Sequence, residues 1–380
     1  MKTAWIMRLS LWVGVLCMGY ASLIAQSTED DTKRVADADH LLTQKLSSKW
    51  IPGMSVCIVR HGNVLLAKGY GSANHELSVP ATDHTVYELA SLTKPFTATA
   101  VMMLVEEDKL SLQDALTKYF PTAPSTWEYI TVGQLLSHTS GFGDFFSMAD
   151  FRSNAGFAWS RGYSPAEILP LVFKVPILFA PGAKWSYSNI GYYILGFIIE
   201  KVSGQSYEEF LQQRIFKPLR MTETRRMSRS DIIPGRASGY TWENGILKNA
   251  TYTSVTWAFS EGGIVSSVSD LAKATAGLFG DKLLKKTTLD SMWQPHRLND
   301  GTSAGYGMGW NIGSDPKRHQ IYHSGNKPGF ASIVRHYPDE ALTVVVLLNV
   351  DNQLAEGANG DVGAISHEVA ACFLDSPVSH

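Results

Sequence analysis

Two stretches far apart in the chain carry one pattern: "PGMSVCIVRHGNVLLAKGYG" at Pro52–Gly71 and "ASIVRHYPDEALTVVVLLN" at Ala331–Asn349. In each, two apolar runs flank a short turn, His61-Gly62-Asn63 in the first and Pro338-Asp339-Glu340 in the second. Runs rich in Val, Ile and Leu, broken by turn residues, read as β-hairpins. Hairpins at opposite ends of the chain predict one antiparallel sheet built from both termini. Ala36–Lys49 reads as an amphipathic helix with Leu41, Leu42 and Leu46 on one side. Gly363–Leu374 carries Ile365, Val369 and Phe373 at helical spacing and is placed to cover the sheet.

Between the hairpins the pattern becomes helical. Phe96, Ala100, Val101, Leu104 and Val105 share a helix face, and Thr131–Ser137 and Ile190–Val202 add two more helices. The last of these stops at Ser203-Gly204, a C-terminal signal. The expected fold class is therefore α+β: an antiparallel sheet flanked by helices and built from both chain ends, with a mainly helical lobe inserted. The expected division is 26–85 and 262–380 for the sheet-and-helix lobe and 86–261 for the helical lobe, with an active site between them.

The chain has 380 residues, 44% hydrophobic, enough for a large core. Its 33 basic and 35 acidic residues nearly balance and form no long run, which argues against a nucleic-acid groove or a polybasic membrane patch. The 11 histidines are scattered, without a His-Glu-x-x-His or Cys-x-x-Cys pair, so no metal and no cofactor is expected.

The N-terminus is of another kind. Lys2 and Arg8 precede the apolar run Leu11–Ala25, which gives way to Gln26-Ser27-Thr28 and Glu29-Asp30-Asp31. This is the form of a secretory signal peptide over residues 1–25, cleaved near Ala25. The run is short for a membrane anchor, and Leu16 stands before Cys17 where a lipoprotein needs a small residue. Export to a periplasmic or extracellular space is expected, with membrane contact only through an uncleaved signal. Cys57 and Cys372 would then remain; Cys57, inside Met54–Val59, reads as a buried strand residue, and pairing of the two is left open.

Three short motifs carry chemistry. In "LASLTKPFTA", Leu89–Ala98, Ser91 precedes Lys94 by three residues at the mouth of a helix. A helix start leaves backbone N–H groups pointing outward and favours negative charge, while a lysine one turn on can share a proton with the hydroxyl. The alternative is a serine that merely caps the helix. Ser314/Lys317 and Ser324/Lys327 repeat the spacing without a helix start. In "WSYSNIGY", Trp185–Tyr192, Tyr187 and Asn189 lie two apart, so an extended loop turns both the same way. A phenol can exchange a proton and a carboxamide can bind a lysine or an amide, unless the stretch is only a capping turn. In "IYHSGNKPGF", Ile321–Phe330, His323, Ser324 and Gly325 suggest an edge strand on a cleft, with the glycine admitting a substrate backbone, unless the stretch is a simple strand-to-loop transition.

Taken in order, Ser-x-x-Lys, Tyr-x-Asn and His-Ser-Gly resemble the signature of the serine β-lactamase and penicillin-binding-protein superfamily. The Tyr-x-Asn form is similar to class C β-lactamases and their D,D-carboxypeptidase, D-aminopeptidase and esterase relatives. "LLSHTSG", "EGGIVSSVSDLAK" and "YGMGW" add to the resemblance, which runs from about Leu41 to Asn349. It implies that Ser91 attacks a carbonyl and becomes acylated, that Lys94 and Tyr187 manage the proton, and that Asn189 holds Lys94 and the substrate amide. It also implies an oxyanion hole from the backbone N–H groups of Ser91 and Asn326, beside His323, Ser324 and Gly325.

Class C enzymes usually have Lys-Thr-Gly where this chain has His323-Ser324-Gly325. The change replaces a permanent cation by an imidazole expected to titrate near neutral pH. It lowers the expectation of an efficient β-lactamase and raises that of a peptidase, amidase or esterase; the expected function is that of a D,D-carboxypeptidase-like enzyme acting on a small-molecule or peptide carbonyl. A carboxylesterase, a true β-lactamase and a non-catalytic scaffold are the alternatives. An α/β-hydrolase is excluded, because no Gly-x-Ser-x-Gly elbow exists; Ser140 has His138 two places before it. The aromatic-rich stretch Phe142–Tyr163 is expected to offer an apolar surface to the substrate.

Overall fold

The computed structural model describes residues 30–47, 50–143, 163–228, 230–251, 258–315, 318–351 and 361–374. The expected signal segment, Lys317 and most of the aromatic stretch, including Phe145 and Phe146, lie outside them. No helix among the described residues is long and apolar enough to cross a membrane.

A seven-stranded sheet organises the chain, in the order β3-β2-β1-β12-β11-β10-β9. The N-terminal hairpin is β1 (Gly53–Arg60) with β2 (Asn63–Asn74), and short β3 (Val79–Pro80) follows. The C-terminal strands are β9 (Asn311–Asp315), β10 (Arg318–Lys327), β11 (Phe330–Tyr337) and β12 (Leu342–Leu348). The two chain ends join at the sheet centre, where β1 runs antiparallel to β12 from Met54↔Leu348 to Arg60↔Leu342. The turns are those the composition signals: His61 (φ 50°) and Gly62 (φ 76°) take the left-handed conformation that closes the first hairpin.

Every residue of β11 and β12 is buried, and so is all of β1 except Arg60, because helices cover both faces. Successive side chains alternate between faces. Met54, Val56 and Ile58 of β1 and Val344, Val346 and Leu348 of β12 pack with Ala38 and Leu42 of helix α1 (30–47) and with Ile365, Val369 and Phe373 near the C-terminus. Cys57, Val59, Val345 and Leu347 face the other way, into a larger core shared with the central helices. Cys57 and Cys372 are both free thiols.

The central helices include α2 (Lys94–Glu106), α3 (Val132–Leu136) and α5 (Asn189–Ser203), with α4 (Pro165–Val172) between the last two. A small sheet, β4 (Tyr87–Glu88), β8 (Ile264–Ser266) and β5 (Arg225–Arg226), fixes the entry to α2, and β6 (Tyr240–Glu243) pairs with β7 (Ile246–Asn249) in a separate hairpin.

A 3-10 turn, Ala90–Thr93, packs against β10 and β11. Ser332 on β11 donates a hydrogen bond to the Leu89 carbonyl at 2.7 Å. A Cβ at Gly325 would stand 2.1 Å from that carbonyl oxygen and 2.9 Å from the Leu92 nitrogen. The glycine is therefore required by the turn behind the strand. This corrects the expectation that it admits a substrate backbone: the space a side chain would need is filled by the protein itself. We predict that Gly325→Ala destabilises the fold by about 1–3 kcal/mol, as overpacking does. Ser324→Ala, at an exposed position, should stay within about 0.5 kcal/mol of the wild type in the same denaturant titration.

Candidate active site

Ser91 lies half-buried in the 3-10 turn, and α2 begins three residues later at Lys94, with Pro95 in its first turn. Neither the turn nor α2 is capped by a side chain, so the capping reading of Ser91 does not hold. Ala90, just before it, is held at φ 49°, a conformation that costs a non-glycine residue about 1 kcal/mol. Ile264 keeps it there, accepting from the Leu89 N–H at 2.9 Å and donating its own N–H to Thr93 Oγ1 at 3.1 Å.

Lys94 is completely buried. Its Nζ lies 3.1 Å from Ser91 Oγ, 2.8 Å from Asn189 Oδ1 and 2.8 Å from the backbone carbonyl oxygen of Glu261. The Tyr187 ring stands 4.8 Å from the same nitrogen, and the Tyr192 ring 5.5 Å. Asn189 is the first residue of α5, whose N-cap Ser188 accepts a hydrogen bond from the Gly191 N–H. The cap sets the helix start, so Tyr187 and Asn189 on either side of it both meet Lys94. Sequence reasoning therefore brings Ser91, Lys94, Tyr187 and Asn189 together as the structure does.

The carbonyl of Glu261 is a site atom that sequence reading missed. A backbone acceptor has no residue type to announce it; the only signal was its place in "EGGIVSSVSDLAK". Glu261 is held in turn by its own carboxylate, which accepts from the Phe259 N–H at 3.0 Å.

β9 pairs with β10 only as far as Asn311↔Tyr322, so residues 323–327 form an open strand edge past the last partner. Along it Ser324 and Asn326 are exposed, while His323 and Gly325 are buried. His323 does not face the cleft as a titrating cation. Its Nδ1–H donates to the Ser324 carbonyl at 2.7 Å, and its Nε2 accepts from the Tyr306 hydroxyl at 2.9 Å. Burial first, then the nearby Lys94 charge, pushes its pKa down to about 3. The expected titration near neutral pH is corrected: desolvation keeps this imidazole neutral.

A second histidine lies deeper. His138, from "LLSHTSG", is buried with Trp185, Tyr187, Tyr192 and Tyr306 around its ring, the nearest centroid being that of Tyr187 at 4.4 Å. Ser188 N–H donates to its Nδ1 at 3.2 Å, which places the proton on Nε2. Burial, then the charge of Lys94, hold its pKa well below the ordinary value. This wall of rings was legible only as pieces of family resemblance, since no local spacing links positions 138, 187 and 306.

The arrangement is that of a nucleophile with an adjacent amine, a phenol beside the amine, and a strand edge across from the hydroxyl. The Beta-lactamase family model matches residues 38–365. The chain is 32% identical over 312 residues to penicillin-binding protein 4* of Bacillus subtilis (strain 168), covering 78% of this chain and 67% of that one. It spans about two thirds of the length of the curated relatives it matches. Among solved structures, the octameric penicillin-binding protein homologue from Pyrococcus abyssi superposes with TM-score 0.75 at 29% identity, over 89% of this chain and 77% of that one. A D-stereospecific amidohydrolase from Streptomyces sp. gives TM-score 0.68 at 25% identity, over 80% and 90%.

The neutral burial of His323 has a measurable consequence. In the unfolded chain an imidazole binds its proton near pH 6.5, well above the folded value of about 3. The unfolded state therefore takes up the proton first as pH falls. The stability tied to His323 is present above pH 6.5 and lost progressively toward pH 3, about 2 kcal/mol of it by pH 5. Denaturant titrations of the wild type and His323→Gln at pH 7.5 and pH 5 should show a smaller pH-induced loss in the variant. Equal losses would contradict the neutral imidazole.

Proposed function

The chain belongs to the beta-lactamase family and is a serine hydrolase, and from that premise we propose that it is an exported D,D-carboxypeptidase-like enzyme acylated on Ser91. The observation that carries the chemistry is the setting of Lys94. A neutral amine has two N–H groups and one lone pair. The Asn189 and Glu261 oxygens, which cannot donate, each take one N–H at 2.8 Å, and the lone pair is left for the Ser91 hydroxyl at 3.1 Å. The charged amine donates to Ser91 Oγ; once it has lost a proton, Ser91 Oγ–H donates to Nζ instead and the amine is a base.

The reaction follows from this geometry. Oγ bonds to the substrate carbonyl carbon as its proton passes to the Lys94–Tyr187 pair. The carbonyl oxygen, now an oxyanion, meets the backbone N–H groups of Ser91 and Asn326, a kind of donor whose loss typically costs about 3 kcal/mol. The pair returns the proton to the leaving amine or alcohol, and water later attacks the acyl-enzyme along the reverse route. Asn189, Ser324 and Asn326 line the edge where the substrate amide would run. Lys94 and Tyr187 are the proposed proton carriers, and Asn189 holds the first.

Support for a peptide or amide of D configuration comes from relatives named as a penicillin-binding protein and a D-stereospecific amidohydrolase. One observation favours a second reading, an esterase: with His323 neutral, this position gives no fixed charge for a substrate carboxylate. Export rests on the composition of residues 1–25.

A panel of nitrocefin, a D-Ala-D-Ala peptide, D-amino-acid amides and p-nitrophenyl esters decides among these. The proposal expects the peptide or D-amide to give the highest kcat/KM and nitrocefin the lowest; turnover of esters alone establishes the second reading. Ser91→Ala should lose labelling by a fluorophosphonate, and Lys94→Ala should lower kcat by about 10²–10⁴-fold. Labelling that persists in Ser91→Ala overturns the assignment.

A further inference from the structure

The oxyanion hole of the proposed reaction needs two backbone N–H groups from separate elements, one in the 3-10 turn and one on β10. Their spacing matters on the scale of a hydrogen bond, and an error of 1 Å in a reacting geometry can cost on the order of a hundredfold in rate. Behind the strand, the Ser332 hydrogen bond to the Leu89 carbonyl and the bare face of Gly325 hold the turn against the sheet. Asn326 lies one residue beyond Gly325, paired with Ala331 at the end of β10, just before the Pro328-Gly329 turn.

A buried ion cluster lies at that end. Glu88 precedes Ser91 by three residues and is only 7% exposed. One of its carboxylate oxygens accepts from Lys327 Nζ at the tip of β10, and the other from Arg236 Nη2 at 2.7 Å. Lys327 is the residue after Asn326, and Glu88 is on the strand that feeds the nucleophile turn. Arg236 is fixed independently, since its backbone forms a bridge with Val86.

We infer that Glu88 and Lys327 are positioning residues that clamp the two halves of the oxyanion hole together. The inference rests on the acyl-enzyme reading above. The carboxylate reaches from the Ser91 side, the ammonium from the Asn326 side, and Arg236 holds the carboxylate from behind so that it cannot swing away. Neither side chain touches the reacting atoms. Because both ions are largely removed from water, their attraction is screened far less than that of a surface pair. Lys327 also resolves a leftover of the sequence, the Ser324/Lys327 spacing: this lysine serves the hole through Glu88, not Ser324.

The test is steady-state hydrolysis of p-nitrophenyl acetate by Lys327→Met, in which Arg236 still neutralises Glu88. The expected result is a kcat lower by about tenfold with KM within about twofold, and inhibition by a phenylboronic acid weakened by a similar factor. Lys327→Arg should restore both. A kcat within twofold of the wild type, or a loss carried by KM alone, overturns the clamp. If Lys327→Met does not fold, Lys327→Gln is measured against the same criteria. Labelling keeps the two ideas apart: a wild type labelled on Ser91 alongside a fully active Lys327→Met refutes only the clamp. Full turnover in Ser91→Ala refutes the reading beneath it.

Discussion

A buried amine constrains the whole molecule. Lys94 has no exposed surface, and a lysine withdrawn from water is costly unless oxygen atoms replace its hydration. The chain supplies them from three distant places: the turn before α2, the first residue of α5, and the segment leading into β8. Each place is fixed by something else. A 3-10 turn seated on the sheet holds Ser91, a serine N-cap sets Asn189, and a carboxylate bound to the Phe259 N–H holds Glu261.

The same economy explains the strained and tightly packed positions. Ala90 accepts a left-handed backbone because its neighbours are pinned to Ile264, and the strain is local to the residue before the nucleophile. Gly325 has no side chain because the turn occupies that space. Aromatic rings surround His138, and burial keeps both it and His323 neutral.

Much of the fold was legible in the chain itself. Apolar runs and turn residues marked β1, β2, β11 and β12, and their placement at both ends implied one antiparallel sheet. Helix spacing and a Ser-Gly stop marked α5. The catalytic candidates were legible as an ordered set of motifs. What local sequence could not show was direction and depth. His323 reads as a cleft residue because strand alternation does not say which face is covered; Tyr306 and the helices beneath decide it. Gly325 reads as room for a substrate because the turn that fills it lies more than two hundred residues earlier. Glu261 acts through a backbone carbonyl, and no side-chain pattern encodes that.

The central claim is that a carbonyl substrate becomes covalently attached to Ser91 Oγ during turnover. Acid-quenching the wild-type protein during hydrolysis of a p-nitrophenyl ester, followed by digestion and mass mapping, measures this directly. The account predicts an acyl adduct on the peptide containing Ser91, formed at the rate of the p-nitrophenol burst. An adduct on another residue such as Ser324, or steady turnover with no adduct at any quench time, would contradict it.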